Sequence, residues 1–240
     1  MDVLVINLER SPDRRAFMEE PLERLAIAYE FFPAVDGDSD IAGRFRQYDR
    51  AKCIRRFGAP LTSREIGCYA SHYLAWRECV QRNRPVTIVE DDVQLSPAFA
   101  KVLSLASERL SEHRLIRLAG LFEQPFRIIE PIDKPYQLVR FLRGPSGMQC
   151  YALSPEGAAA LVTHAALWTE PVDNYLDRFW FHGVESRAIV PFEAHHRDES
   201  EKSSDIGCRK RRRTRFNKVR REAGRILDDL LRISYNIRHR

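Results

Sequence analysis

The stretch VTIVEDD, residues 86–92, followed by Val93-Gln94-Leu95, decides how the rest of this sequence is read. Val86, Thr87, Ile88 and Val89 form a β-branched, apolar run of the length and composition of a buried strand. Three consecutive carboxylates, Glu90, Asp91 and Asp92, close it. Like charges at a strand end repel one another unless water, a cation or a positive ligand offsets them. Two readings compete, a solvated acidic turn and a strand-end site that uses the charge.

Working outward, the segment before this strand, LTSREIGCYASHYLAWRECVQR, opens with Thr62 and Glu65 in capping-box spacing. Ile66, Tyr69, Tyr73, Trp76 and Val80 then recur at helical spacing, predicting a helix over 62–82. VLVINL at 3–8 predicts a first buried strand, central in a parallel sheet that also holds 86–89. Ser11-Pro12 predicts a helix start, with Pro21 expected to kink or split that helix. YEFFPAVDGD returns to strand character before ending in the turn at Asp36-Gly37, and 38–60 reads as polar and irregular. Ser96-Pro97 and Ser154-Pro155 predict two more helix starts. LIRLAG, RIIE, QLVRFL, MQCYALS and RAIVPF predict further strands. Strands alternating with helices predict an α/β domain with a mostly parallel, doubly wound sheet.

Composition agrees with a globular chain: of 240 residues, 44% are hydrophobic and 30% charged. No run approaches the ~20 apolar residues of a membrane span, and the N-terminus does not read as a signal peptide. Five cysteines without a CxxC pair point to reduced thiols and a cytoplasmic setting. The net charge of +5 is unevenly spread: residues 209–240 carry 13 Lys/Arg against 3 Asp/Glu, so the first 208 residues sum to −5. This divides the chain into a body, 1–208, and a basic tail, 209–240.

Open α/β sheets bind ligands beyond the carboxyl ends of their strands, which puts Glu90, Asp91 and Asp92 at the rim of a crevice. Oxygen-only ligands there suit Mg²⁺ or Mn²⁺, which proteins hold with one or two carboxylates plus substrate phosphates. Asn7, Asp13 and Arg14 come after the first strand at a helix N-terminus, where N–H groups and the dipole favour phosphate. Arg14 or Arg15 has the geometry to pair bidentately with a diphosphate oxygen. For these residues a solvated helix face is the competing reading. For Asp36, a turn-forming aspartate competes with a contact to a ribose or base.

INLERSPDRR at 6–15, AVDG at 34–37, LTSREIGCYASHYLAW at 61–76, TIVEDDV at 87–93 and PVD at 171–173 together resemble the ordered signature of glycosyltransferase family 25. This family holds lipopolysaccharide and lipooligosaccharide galactosyltransferases and their collagen-modifying relatives. The resemblance runs from about residue 2 to about residue 207. It implies a GT-A-like single domain of the nucleotide-diphospho-sugar transferase type, a UDP-sugar donor, galactose as the transferred hexose, and a divalent metal held by Glu90-Asp91-Asp92. It also implies a role for His72, at the family's Ser-His position, where a lone helical histidine otherwise reads as a satisfied core group.

Inversion at the sugar carbon, which the resemblance also implies, needs a base for the acceptor hydroxyl and a cation for the leaving diphosphate. Asp173 is the candidate base, with Glu170 second. His195, or its neighbour His196, is a candidate further metal or diphosphate ligand, and KSSDI at 202–206 matches another family element.

In the tail, Phe216, Val219, Ala223, Leu227, Leu230 and Leu231 recur at helical spacing among arginines, predicting a basic amphipathic helix on an anionic membrane surface. The chain is then peripheral on the inner face of the cell membrane. An ordinary solvated helix packing on the body is the competing reading, and no nucleic-acid partner is expected. The acceptor is expected to be a lipopolysaccharide, lipooligosaccharide or other glycan. The competing function is a non-catalytic nucleotide-sugar or carbohydrate-binding protein of the same fold.

Overall fold

A computed structural model describes residues 1–37, 41–197 and 215–239. In chain order the elements are β1 (Asp2–Asn7), α1 (Pro12–Arg24), β2 (Tyr29–Pro33), α2 (Ile41–Arg44), α3 (Arg50–Phe57), α4 (Ser63–Arg82), β3 (Val86–Glu90), β4 (Val93–Leu95), α5 (Phe99–Arg109) and β5 (Leu115–Arg117). Next come β6 (Phe126–Pro131), β7 (Gln137–Phe141), β8 (Cys150–Leu153), α6 (Pro155–His164), α7 (Val172–Leu176), α8 (Phe179–His182), β9 (Arg187–Val190), β10 (Ala194–His196) and α9 (Arg215–Arg238).

Eight strands form one sheet in the order β2-β1-β3-β8-β5-β9-β7-β6, and β4 pairs with β10 separately. β1 lies between β2 and β3, parallel to both, so it is one strand from an edge and not central. β8 enters antiparallel between β3 and β5, and β7 is antiparallel to both β6 and β9. The sheet is mixed: six strands run one way and β7 and β8 the other. No period in MQCYALS or QLVRFL distinguishes the two directions, because a strand buried on both faces has the same apolar run whichever way it points.

Both faces of the sheet are covered, which explains the unbroken apolar runs. In β1, Leu4 and Ile6 face a core shared with α4 and α6, while Val3 and Val5 face one shared with α1 and α5. In β8, Tyr151 and Leu153 join the first core and Cys150 and Ala152 the second. β6 is the exposed edge, with Ile128 and Ile129 open to solvent.

Helix α4 is capped as its sequence predicts. The Thr62 hydroxyl accepts from Glu65 N, and the Glu65 carboxylate accepts from Thr62 N at 2.8 Å. Its buried face is Ile66, Tyr69, Ala70, His72, Ala75, Trp76 and Cys79, whereas Val80 is 40% exposed and outside the core. Pro21 does not split α1, which runs unbroken. The segment read as irregular contains α2 and α3; Asp49 caps α3 by accepting from Lys52 N, and Gly58 ends it in the left-handed region. Ser154 caps α6 with Pro155 at its first position. Ser96-Pro97 precedes the start of α5 by a turn instead of capping it.

Arg117, the last residue of β5 in the LIRLAG run, is 1% exposed. Its guanidinium donates to Asp177 Oδ1 and to the Gly147 carbonyl, both at 2.5 Å. Asp177 also accepts from Ser146 N at 3.0 Å. This buried pair therefore ties the 144–149 segment to β5. Asp177→Ala would leave Arg117 buried without its partner, and removing one partner of a buried pair costs about 3–5 kcal/mol. The expected result in urea unfolding is a loss of that size, and an Arg117→Met/Asp177→Leu double variant should lose less than Asp177→Ala alone.

Candidate active site

A cavity of about 560 Å³ opens where β1 and β3 end, bounded by α4, the 147–149 segment and the start of α7. Local chain chemistry builds its walls. The Ser71 hydroxyl accepts from Val35 N at 2.8 Å and donates to the Gly67 carbonyl at 2.8 Å. A Cβ at Gly67 would stand 2.7 Å from the Val35 carbonyl oxygen, and one at Gly37 would stand 2.3 Å from that of Ser63. The AVDG turn and the first turns of α4 are thus in backbone contact that only glycine permits.

Glu90, Asp91 and Asp92 all line the cavity, each with different support. Asp91 is nearly buried; its Oδ2 accepts from Asn7 Nδ2 at 2.7 Å and its Oδ1 from Arg14 at 3.0 Å. Burial still raises its carboxyl above the usual range, with Asn7 and Arg14 pulling the other way. Asp92 lies 3.6 Å from Arg14. Its Oδ1 is buried with no hydrogen-bond partner among the described residues. Burial first and Glu90 second push its carboxyl up to about 6, against the pull of Arg14 and His196.

Glu90 accepts from His72 Nε2 at 3.1 Å. His72, 1% exposed, has its Nδ1 2.9 Å from the Tyr151 hydroxyl, which accepts from Trp76 Nε1 at 2.8 Å. Indole N–H only donates and an ionised carboxylate only accepts. With neutral His72, one arrangement satisfies every group: Trp76 donates to Tyr151, Tyr151 to His72 Nδ1, and His72 Nε2–H to Glu90. Burial raises the Tyr151 phenol far above its usual range, which keeps it a donor. A core tryptophan thus ends a one-way chain that orients a strand-end carboxylate.

The Sγ of Cys68 is 3.9 Å from Glu90, and Cys68, His72 and Glu90 bring three potential ligand atoms within 4.8 Å of one another. Burial and then the Glu90 charge hold the Cys68 thiol far above its usual range. The softer set therefore offers a protonated thiol and an imidazole already engaged on both nitrogens. Glu90, Asp91 and Asp92, with the orphaned Asp92 oxygen, fit a hard divalent cation better.

Asp173 lines the cavity from α7, its Oδ1 accepting from Asn174 N at 2.8 Å. Burial raises its carboxyl, with Asn174 N–H and Arg117 opposing and Glu90 adding to the rise. Glu170 is placed differently. It is 7% exposed, outside the lining, and bound to Arg178 at 2.8 Å and Arg56 at 3.3 Å. The second candidate for the base thus lies in an ion-pair network outside the cavity lining.

His195 sits in β10 opposite Gln94 and outside the lining; strand alternation brings the next residue, His196, to the cavity. Asp13 is exposed on α1 and outside the lining. Asp36 lies just outside it, accepting from Arg10 at 2.8 Å. Arg15 stacks over Phe31 on the far side of α1. KSSDI at 202–206 lies outside the described residues.

Sequence reading passed over three residues here. Tyr151 was legible only as part of a strand, although a tyrosine on a fully buried strand needs a partner for its hydroxyl. Arg117 carries the same signal more strongly, as an arginine within an apolar run. Gln149, whose Oε1 is buried without a partner among the described residues, lines the cavity with no pattern to announce it.

The family model "Glycosyltransferase family 25 (LPS biosynthesis protein)" matches residues 1–176. The chain belongs to glycosyltransferase family 25. It is similar to a "Glycosyltransferase 25 family member" of Aedes aegypti, 37% identical over 107 residues, 41% of this chain and 17% of that protein. It is similar to human "Procollagen galactosyltransferase 2", 31% identical over 185 residues, 73% of this chain and 29% of that protein. It is also similar to mouse "Inactive glycosyltransferase 25 family member 3", 34% identical over 122 residues, 48% of this chain and 20% of that protein. The family-25 chain spans less than a third of the length of each of these relatives.

Two predictions come from this geometry. Because Asp92 titrates higher folded than its unfolded value near 3.9, the folded state holds the extra proton between pH 4 and 6. That contribution is fully present below about pH 4 and lost as pH rises through about 6. In chelator at pH 7.5, Asp92→Asn should therefore melt higher than wild type, by on the order of 2 kcal/mol, and the gap should close by pH 4. Tyr151→Phe leaves Trp76 Nε1–H and His72 Nδ1 buried and unpaired, each costing about 1–3 kcal/mol. Thermal unfolding should show a loss of about 2–6 kcal/mol, larger than for Tyr73→Phe on the same core.

Proposed function

We propose that this family-25 chain transfers a hexose, galactose in the first instance, from a UDP-sugar to the hydroxyl of a glycan acceptor, with inversion at the sugar carbon. The observation that carries this reading is that two carboxylate groups from separate elements line one cavity. Glu90-Asp91-Asp92 stand at the strand end, fixed by Asn7, Arg14 and His72, and Asp173 comes from α7. The fold class proposed for residues 1–208 is GT-A-like, with the acids of β3 in the role of its metal motif.

In this reading Glu90, Asp91 and Asp92 hold Mn²⁺ or Mg²⁺, which when bound neutralises charge on the departing diphosphate. The remaining steps belong to side chains. Asp91 and Asp92 repel any anion until their charge is offset, and Arg14 partly offsets it. The Trp76–Tyr151–His72 chain holds Glu90 in one orientation. Asp173, raised by burial, has the basicity to take the proton from the acceptor hydroxyl as oxygen attacks the sugar carbon. The non-catalytic alternative keeps the cavity but needs no base; the Asp173 carboxylate in the lining favours transfer.

The test is UDP release from UDP-galactose, with Mn²⁺ titrated and glycan acceptors supplied. Asp173→Asn is nearly isosteric and removes only basicity, so turnover should fall about 10²–10⁴-fold with donor affinity unchanged. Asp92→Asn should abolish metal-dependent transfer while remaining folded in chelator. A tenfold or smaller effect of Asp173→Asn would remove it as the base. Normal metal-dependent transfer by Asp92→Asn would return the acids to a solvated turn.

A further inference from the structure

Helix α9 packs against the body with its polar side. Asp228 pairs with Arg56 at 2.7 Å and with Arg178 at 3.5 Å. Asn236 Nδ2 donates to the Leu142 carbonyl at 2.8 Å while its Oδ1 accepts from Arg140 at 2.9 Å. Arg232 reaches the same carbonyl, and Tyr235 packs edge-on against Phe179. Gly224 stands over the Arg56 carbonyl of α3.

The apolar residues point the other way. At about 100° per residue, Asp228, Arg232, Tyr235 and Asn236 fall on one half of the helix. Ile226, Leu227, Leu230, Ile233 and Ile237 fall on the opposite half. The latter five are between 48% and 62% exposed, Ile233 and Ile237 bordering a groove shared with Pro125 and Leu142 of the body. A surface helix ordinarily buries its apolar stripe against the core and shows its charges to water; α9 does the reverse. Leaving five large apolar side chains in water forgoes the stabilisation that burial supplies to each of them, so the face calls for a second partner.

Charge decides which partner. The segment 209–240 carries a net charge of +10, and the run RKRRRTR directly precedes and opens α9 in sequence. An apolar row on a helix dense in arginine complements an anionic phospholipid surface: the row enters the interface while cations meet headgroups. A second copy of this chain would bring +10 against +10. No helix among the described residues is long and apolar enough to cross a membrane, so contact lies in the plane of the surface.

We infer that the outward face of α9 seats this chain on an anionic lipid bilayer, with the helix lying in the interface and clamped to the body through Asp228 and Asn236. The inference stands apart from the sugar-transfer reading and does not depend on it.

The full chain is to be co-sedimented with phosphatidylcholine vesicles, with and without phosphatidylglycerol, over a salt series. The double variant Leu227→Gln/Leu230→Gln serves as control; both side chains are more than half exposed, so melting should be unchanged. Wild type should bind anionic vesicles at least about tenfold more tightly than neutral ones and weaken as salt rises. The variant should bind at least about tenfold more weakly than wild type. Three results would overturn the inference: no binding by wild type; equal binding by the variant, which would leave charge alone as the cause; or concentration-dependent self-association, lost in the variant, without vesicle binding.

Discussion

Three like charges at the end of one buried strand are the constraint around which this molecule is arranged. Each is held by something drawn from a distant part of the chain. Asn7 comes from the end of β1, Arg14 from the first turn of α1, and His72 from the middle of α4. None of these supports neutralises the group fully: burial still raises the carboxyls of Asp91 and Asp92. A folded protein that keeps repulsion of this kind in a half-buried place stores it where an incoming positive charge can relieve it. The rest of the sheet keeps the three supports in register, since β1 and β3 are direct neighbours with Ile6 beside Glu90.

Membership of family 25 rests on the residue 1–176 match, and the geometry adds what a family match does not contain. It divides the acids by role. Glu90 is oriented from the core by an aromatic chain. Asp91 is bound from two sides, and one oxygen of Asp92 has no hydrogen-bond partner among the described residues. It also separates Asp173 from Glu170. The two are close neighbours in sequence, yet one borders the cavity and the other is the centre of an ion-pair network joining α3, the start of α8 and α9.

Much of this was legible in the sequence, and the parts that were not share a cause. β1, β3 and α4 could be read because local signals agreed with tertiary demand: apolar runs buried on both faces, and a capping box opening a periodic helix. The direction of β7 and β8 was invisible because strand sense leaves no mark on a doubly buried run. α3 was missed because its signals are short: Asp49 as a cap, one buried face holding Cys53, and Gly58 at its end. The choice of His195 over His196 turned on a one-residue register that only the pairing of β10 with β4 fixes. The tail's helix was legible from its spacing. That its polar side would face the body was not, because periodicity gives the width of a face and never what lies opposite it.

The interlocked glycines have a mechanical consequence. Gly67 admits the Val35 carbonyl, Gly37 admits that of Ser63, and Ser71 clamps Val35 from within the helix. The AVDG turn and the first two turns of α4 have no room to slide past each other and move as a single body. A molecule entering the cavity therefore meets a wall fixed by backbone contact on that side, whereas the 147–149 segment is held by hydrogen bonds, the Gly147 carbonyl to Arg117 and the Gln149 carbonyl to Glu90 N.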